Sequence, residues 1–360
     1  MVLQGLSRVG RALGAIPTPL LIALALAVTA LRSGIAGVGP FFMIPLDRAA
    51  AGLPSPVNGF SSDLLFVALR RIVAGGDPRW WLFGGLVWIA AVGGFASWAS
   101  RRAHSWAQVV VLLVAMSSAA GVTVTLLGFY DIFTMLGAVI VAMAARWWVA
   151  GFGVGLMVVT NPEHAVLASL AMLLVGAAFQ RRESMKFAAL GVVVSGVAAV
   201  TINLWLRASG VANPRVEMAG DLGVALVSIR LFLGGWPQAV YAFFGALWLP
   251  VAATFVRISG APRRSVAALG VIGIPALASI ATIDGTRVFI AVGTGAVVLL
   301  FRLAWSGIDL RASPHPALVG ALAVLLVCLP SVVVYPDPNG QTFLRLPYHQ
   351  LLDYLGWHLS

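Results

Sequence analysis

"LGFYDIFTMLGAVIVAMAARWWVAGFGVGLMVVTNPEHAVLASLAML", Leu127 to Leu173, decides the fold. Three apolar runs follow one another, and polar residues stand only at their ends: Asp131, Arg146, and the group Asn161-Pro162-Glu163-His164. A chain inside hydrocarbon must satisfy its backbone hydrogen bonds internally, so runs of this kind read as helices crossing a bilayer. Two crossings separate Asp131 from Glu163 and His164, which places all three on one side of the membrane, while Arg146 lies in a tight turn on the other.

The same rhythm fills the chain of 360 residues, whose mean hydropathy is +0.98 and of which only 10% are charged. Soluble domains carry about 25% charged residues. This composition predicts an all-α integral membrane protein forming a single polytopic domain over residues 1–360. Spans are expected near 16–36, 80–100, 106–127, 132–145, 148–160, 165–180, 187–206, 236–256, 266–283, 287–303 and 317–335. That makes about eleven transmembrane helices.

The net charge of +11 is explained by where the charges fall. Loops on the side of the N-terminus carry thirteen Arg and Lys residues against Glu183 and Asp309, an excess of eleven. The remaining ten arginines meet ten acids on the opposite side and cancel. Short cytoplasmic loops attract Lys and Arg, so the expected topology has the N-terminus inside and the C-terminus outside a bacterial plasma membrane. Such a pattern speaks for membrane lipid as a partner and against nucleic acid. The basic, then apolar N-terminus reads as a retained signal anchor, its apolar region being too long for a cleaved peptide. Cys328 is the single cysteine, which excludes disulfides and cysteine metal clusters.

Polar groups are costly in a bilayer, so acids at span ends are the informative residues. Ten of the twelve fall on the expected outer side: Asp47, Asp63, Asp77, Asp131, Glu163, Glu217, Asp221, Asp284, Asp337 and Asp353. The first outer loop, 37–79, contains "SSDLLFVALRRIVAGG", in which Ser61 or Ser62 caps a helix starting at Asp63 and Gly75-Gly76 ends it. Its apolar residues Leu65, Leu69, Ile72 and Val73 face lipid or neighbouring spans, while Asp63 and Arg70 share a face. Such a helix lies along the membrane surface and presents Asp63, or it simply packs there as an interfacial helix. At a later outer turn, Asp284 and Arg287 either close the turn as an ion pair or leave Arg287 to grip a phosphate. An outer C-terminal tail is expected over 336–360. No histidine has metal-ligand spacing, no phosphate loop is found, and the twelve tryptophans read as interfacial anchors.

"SSDLLFVALRRIVAGG" after the first span, and "GFYDIFTMLGAVIVAMAARWWVAGFGVGLMVVTNPEHAVLA" with its aromatic-Asp turn, basic inner turn and second polar outer turn, resemble the GT-C superfamily. These are polytopic glycosyltransferases that use polyprenyl-phosphate sugars, and the resemblance spans roughly the first half of the chain. It implies inverting transfer of a sugar from a polyprenyl-phosphate donor to a glycan or glycolipid acceptor on the outer face, in the service of cell-envelope polysaccharide synthesis. A carboxylate of the first outer loop would be the general base. Asp63 matches that role by its position relative to the surface helix, with Asp47, nearer the first span, as the alternative. Asp131 matches the acid of the second loop, which orients the acceptor or assists the base. Glu163 and His164 match the third outer turn. The chain lacks the family's Asp-Glu pair after the first span and its large outer C-terminal domain. No cofactor is therefore assigned, and a divalent cation is left as an open alternative.

Two other readings use the same residues. A polymerase or ligase of lipid-linked oligosaccharides would suit outer loops rich in arginine. A transporter of lipid or solute without chemistry would be marked by broken helices or charges at mid-membrane, often within internal repeats.

Overall fold

The computed structural model describes residues 2–35, 44, 46–48, 50–51, 64–73, 77–129, 131–210, 221–280, 282, 285–306, 312–332 and 344–355. Asp63, Asp284, most of the first loop, and residues 336–343 and 356–360 of the expected tail lie outside the described residues. The protein is an all-α membrane protein. Four helices are long and apolar enough to cross a bilayer, Pro78–Ala115, Arg182–Ala208, Ala261–Ile280 and Gly285–Ala304, and several shorter apolar helices accompany them.

The chain begins with α1 (Val2–Gly14) and α2 (Thr18–Ser33). The first loop supplies α3 (Leu64–Ile72). A long rod follows, α4 (Asp77–Trp88) and α5 (Gly94–Ala103), joined through a π-helical turn at Ile89–Gly93. The expected span 106–127 then appears as two pieces, α6 (Ala107–Ala115) and α7 (Ser118–Thr125). The central hairpins are α8 (Asp131–Met143), α9 (Trp147–Thr160) and α10 (Pro162–Ala178).

In the second half, α11 (Arg182–Ala208) is an unbroken helix of 27 residues. It shows Val193, Val197 and Leu204 at 61–63% exposure, an apolar belt suited to lipid rather than water. The expected outer loop before residue 236 contains α12 (Leu222–Gly234), which Asp221 caps by accepting a hydrogen bond from Gly223 N. The expected span 236–256 is again broken, into α13 (Trp236–Phe244) and α14 (Trp248–Arg257). Next come α15 (Ala261–Ala268) and α16 (Ile274–Ile280), continuous through a second π turn, then α17 (Gly285–Ala304) and α18 (Pro316–Cys328). Two short antiparallel strands, β1 (Ser331–Val332) and β2 (Leu344–Arg345), and α19 (His349–Tyr354) close the described chain.

The core is built by α8, α9, α10 and α17, which pack on one another through small residues. A methyl group at Gly137 would sit 2.7 Å from the Gly153 carbonyl, so the backbones of α8 and α9 touch. Close approach of this kind drives helix association in lipid, where apolar burial alone gives little. At the arginine-rich end, Arg302 donates to the Ala142 and Ala144 carbonyls at 2.7 and 3.1 Å, which satisfies the C-terminus of α8.

The two broken spans meet at their breaks. Ser117 and Gly245 form an antiparallel backbone bridge. Ser117 caps α7 by accepting from Ala120 N, and Thr29 Oγ1 lies 2.9 Å from the carbonyl of Ala115, which the end of α6 leaves over. Hydropathy misses these breaks because Ser, Ala and Gly are apolar enough to continue a span. Gly245 has φ +59, a left-handed conformation, and a Cβ there would lie 2.8 Å from the Met116 carbonyl oxygen. We expect Gly245→Ala to lower stability by about 1–3 kcal/mol, read as a depressed thermal midpoint in detergent, because both strain and overlap are introduced. Gly151→Ala, with nothing within 4 Å, is the control and should leave the midpoint in place.

The described part of the tail packs on the end of the first span. Tyr348 N donates to the Arg32 carbonyl at 3.0 Å, and Gln350 Oε1 accepts from Ile35 N at 2.7 Å. Burial holds the His349 imidazole below its ordinary pKa, and the nearby Arg345 adds to this.

Candidate functional site

Three helix starts converge at the acid-rich end of the core. Asp131 opens α8. Asn161 precedes α10 and caps it, its side-chain oxygen accepting from His164 N at 2.9 Å. Arg287 lies in the first turn of α17. Because α8, α10 and α17 pack on one another, residues far apart in sequence meet there.

Asp131 is the centre of the group and is 3% exposed. Its Oδ2 lies 3.2 Å from Arg287 Nε, and its Oδ1 lies 4.0 Å from His164 Nδ1. The Arg287 guanidinium stacks 4.3 Å from the centre of the Phe129 ring. Three helix N-termini each contribute partial positive charge, which favours the Asp131 carboxylate and, equally, any anionic ligand arriving there. Thr134 is fully buried next to this turn of α8, and its hydroxyl finds no partner among the described residues.

A second ion pair stands beside the first. Arg70, on α3, is buried, and its Nε donates to Asp47 Oδ1 at 2.6 Å, while the Asp47 side chain is half-exposed. The Arg70 guanidinium lies 5.6 Å from the Trp80 ring. Trp80 is fully buried, donates from Nε1 to the Gly128 carbonyl at 3.0 Å, and packs in one cluster with Leu46 and Phe129. An aromatic layer of Trp80 and Phe129 therefore joins the half-exposed pair, Asp47 and Arg70, to the buried pair, Asp131 and Arg287. Gly128, at φ +87, turns the chain so that Phe129 enters this layer, and a methyl at Gly84 would collide with its backbone.

The structure thus brings together Asp47, Arg70, Asp131, His164 and Arg287. Asp284, expected to pair with Arg287 unless that arginine serves a phosphate, lies outside the described residues; among them Arg287 meets Asp131. Glu163 is half-buried beside His164 at the start of α10. The surface helix forms as expected over Leu64–Ile72, with Leu69 and Val73 packed on the Trp80 cluster and Ile72 exposed. Trp80 reads from sequence as an interfacial anchor; in the fold it is a buried hydrogen-bonded wall. Phe129 carries little signal in the sequence beyond the aromatic pair preceding Asp131 in "GFYD".

The crevice against Asp131 is lined by Gly84, Val122, Thr123, Leu126, Phe129 and Ile132 and offers about 10 Å³. That is space for about one water molecule. Among the described residues no three His, Cys, Asp or Glu side chains converge as metal ligands. No family model, curated protein or solved structure matches the chain.

Proposed function

We propose that the protein is a membrane glycosyltransferase of about eleven spans, with its N-terminus in the cytoplasm and its acid-rich end on the outer face of a bacterial plasma membrane. It moves a sugar from a polyprenyl-phosphate donor to a cell-envelope glycan or lipid-linked acceptor, with inversion. The observation that carries this reading is the buried Asp131–Arg287 pair beneath a half-exposed carboxylate held by Arg70.

In the proposed step, the acceptor oxygen attacks the anomeric carbon while its proton passes to a carboxylate of the first loop. The bond from the anomeric carbon to the phosphate oxygen breaks, and polyprenyl phosphate departs with the electron pair. Asp63 or Asp47 is the base. Arg287, with more donors than one carboxylate can occupy, stabilises the growing charge on the leaving phosphate. As the phosphate draws Arg287 toward itself, Asp131 is released from part of its ion pair and can orient the acceptor hydroxyl. His164 and Glu163 line the acceptor side. The donor already carries a good leaving group, so positioning, one base and one cation suffice without a metal.

The test supplies purified protein with a single-sugar polyprenyl phosphate and follows release of the lipid phosphate together with a new glycosidic bond. Turnover supports this reading. Turnover only with lipid-linked oligosaccharides on both sides would make the protein a polymerase or ligase instead.

One observation favours a different class. Two broken spans that meet at Ser117 and Gly245 are a device by which transporters build sites inside the bilayer. Movement of labelled lipid or solute across a vesicle membrane with no new covalent bond would establish transport and dismiss transfer.

A further inference from the structure

A second charged position lies apart from the Asp131 group, at the end of α2. Arg32 is 3% exposed, and its Nε and Nη1 are buried without an acceptor among the described residues. No acid among the described residues forms an ion pair with it. An arginine at a span end ordinarily extends its head group to the water, but this one is enclosed. A buried guanidinium whose nitrogens lack acceptors is costly and is retained only where something compensates for it.

The elements packed around the end of α2 carry further hydroxyl groups, and no carboxylate among the described residues pairs with Arg32. Ser33 Oγ and Ser118 Oγ are buried, and neither has a partner among the described residues. Ser33 lies against Gly121 of α7, at 3.1 Å from where a Cβ would stand, and Ser118 lies at the same distance from the corresponding point on Gly245. The phenols of Tyr241 on α13 and Tyr348 of the tail are within electrostatic reach of Arg32. Tyr348 also closes the position from above through its hydrogen bond to the Arg32 carbonyl.

We infer that Arg32, with Ser33 and Ser118, forms a binding site for a phosphate group between α2, α7 and α13, under the C-terminal tail. A guanidinium pairs well with a phosphate, and two serine hydroxyls add donors beyond the number a carboxylate's two oxygens would call for. The phosphate belongs either to the head group of an anionic lipid or to a free ion. The site stands on the buried charge alone and is independent of the proposed transfer reaction.

Delipidated protein in a zwitterionic detergent and phosphate-free buffer is titrated with inorganic phosphate, with chloride as the control anion. In parallel, it is reconstituted into nanodiscs of phosphatidylglycerol or of phosphatidylcholine. Thermal midpoints are read in each case. A rise with inorganic phosphate identifies a free-ion site, and a rise confined to phosphatidylglycerol identifies a lipid site. Arg32→Gln should reduce the apparent affinity at least tenfold, while Arg287→Gln, which alters the proposed catalytic group, should leave the response in place. Arg32→Met removes a lone buried charge, so in phosphate-free buffer it should be at least as stable as the wild type and should no longer respond. A wild type whose midpoint moves with neither probe, or an Arg32→Met variant that responds as the wild type does, overturns the site.

Discussion

Asp131→Ala is expected to abolish the proposed sugar transfer and to destabilise the protein by about 3–5 kcal/mol, because it removes the carboxylate that pairs with the buried Arg287 guanidinium. The stability loss should be far larger than that of an exposed pair such as Glu183 and Lys186, whose side chains are 72% and 69% exposed. Replacing both partners, Asp131→Leu with Arg287→Met, should recover most of the lost stability while transfer stays absent. This comparison separates a structural role from a chemical one. Thermal unfolding in detergent reads the first, and turnover of the lipid-linked donor reads the second. Equal stability of Asp131→Ala and the wild type would mean that the pair is not buried as described. Full turnover in the folded double variant would remove both residues from the reaction.

Asp63→Asn should leave a folded, membrane-inserted protein and lower transfer by about 10²–10⁴-fold, the range that a positioned general base contributes. Asp47→Asn provides the comparison, because Asp47 Oδ1 accepts from Arg70 Nε and the change weakens that charged hydrogen bond as well. If Asp63 is the base, Asp47→Asn should reduce transfer modestly, mainly by loosening α3 over the Trp80 and Phe129 layer, and its pH-rate profile should keep the wild-type shape. If Asp47 is the base, the larger loss belongs to Asp47→Asn, and Asp63→Asn stays close to the wild type. Unchanged turnover in both variants would place the base outside the first loop.

Much of the fold is legible from composition and pattern. Apolar runs ending at Asp131, Arg146 and Asn161 correspond to α8, α9 and α10, because each boundary needs only local chemistry: an acid at a helix start, a basic turn, an Asn cap before Pro. The broken spans were not legible. Their breaks rest on Ser117 capping α7 and on Gly245 reaching a left-handed conformation against Met116, both of which depend on another span lying alongside. Neither residue lowers hydropathy enough to interrupt a run.

The site follows the same division. Asp131, His164, Arg287, Asp47 and Arg70 stand out in the sequence as charges at the ends of apolar runs, and the charge count gathers the acids on one side. Their pairing does not stand out. Local order suggests Asp284, which lies outside the described residues, and helix packing brings Asp131 to Arg287 from more than a hundred positions away in the chain. Sequence by itself determined that the chain is helical and apolar enough for a membrane, because bilayer solvation acts on each residue independently of its distant neighbours. Only the tertiary structure decided which charges share a carboxylate, which tryptophan is a wall, and which arginine is enclosed without an acid among the described residues, because those depend on helices brought together by close backbone contact.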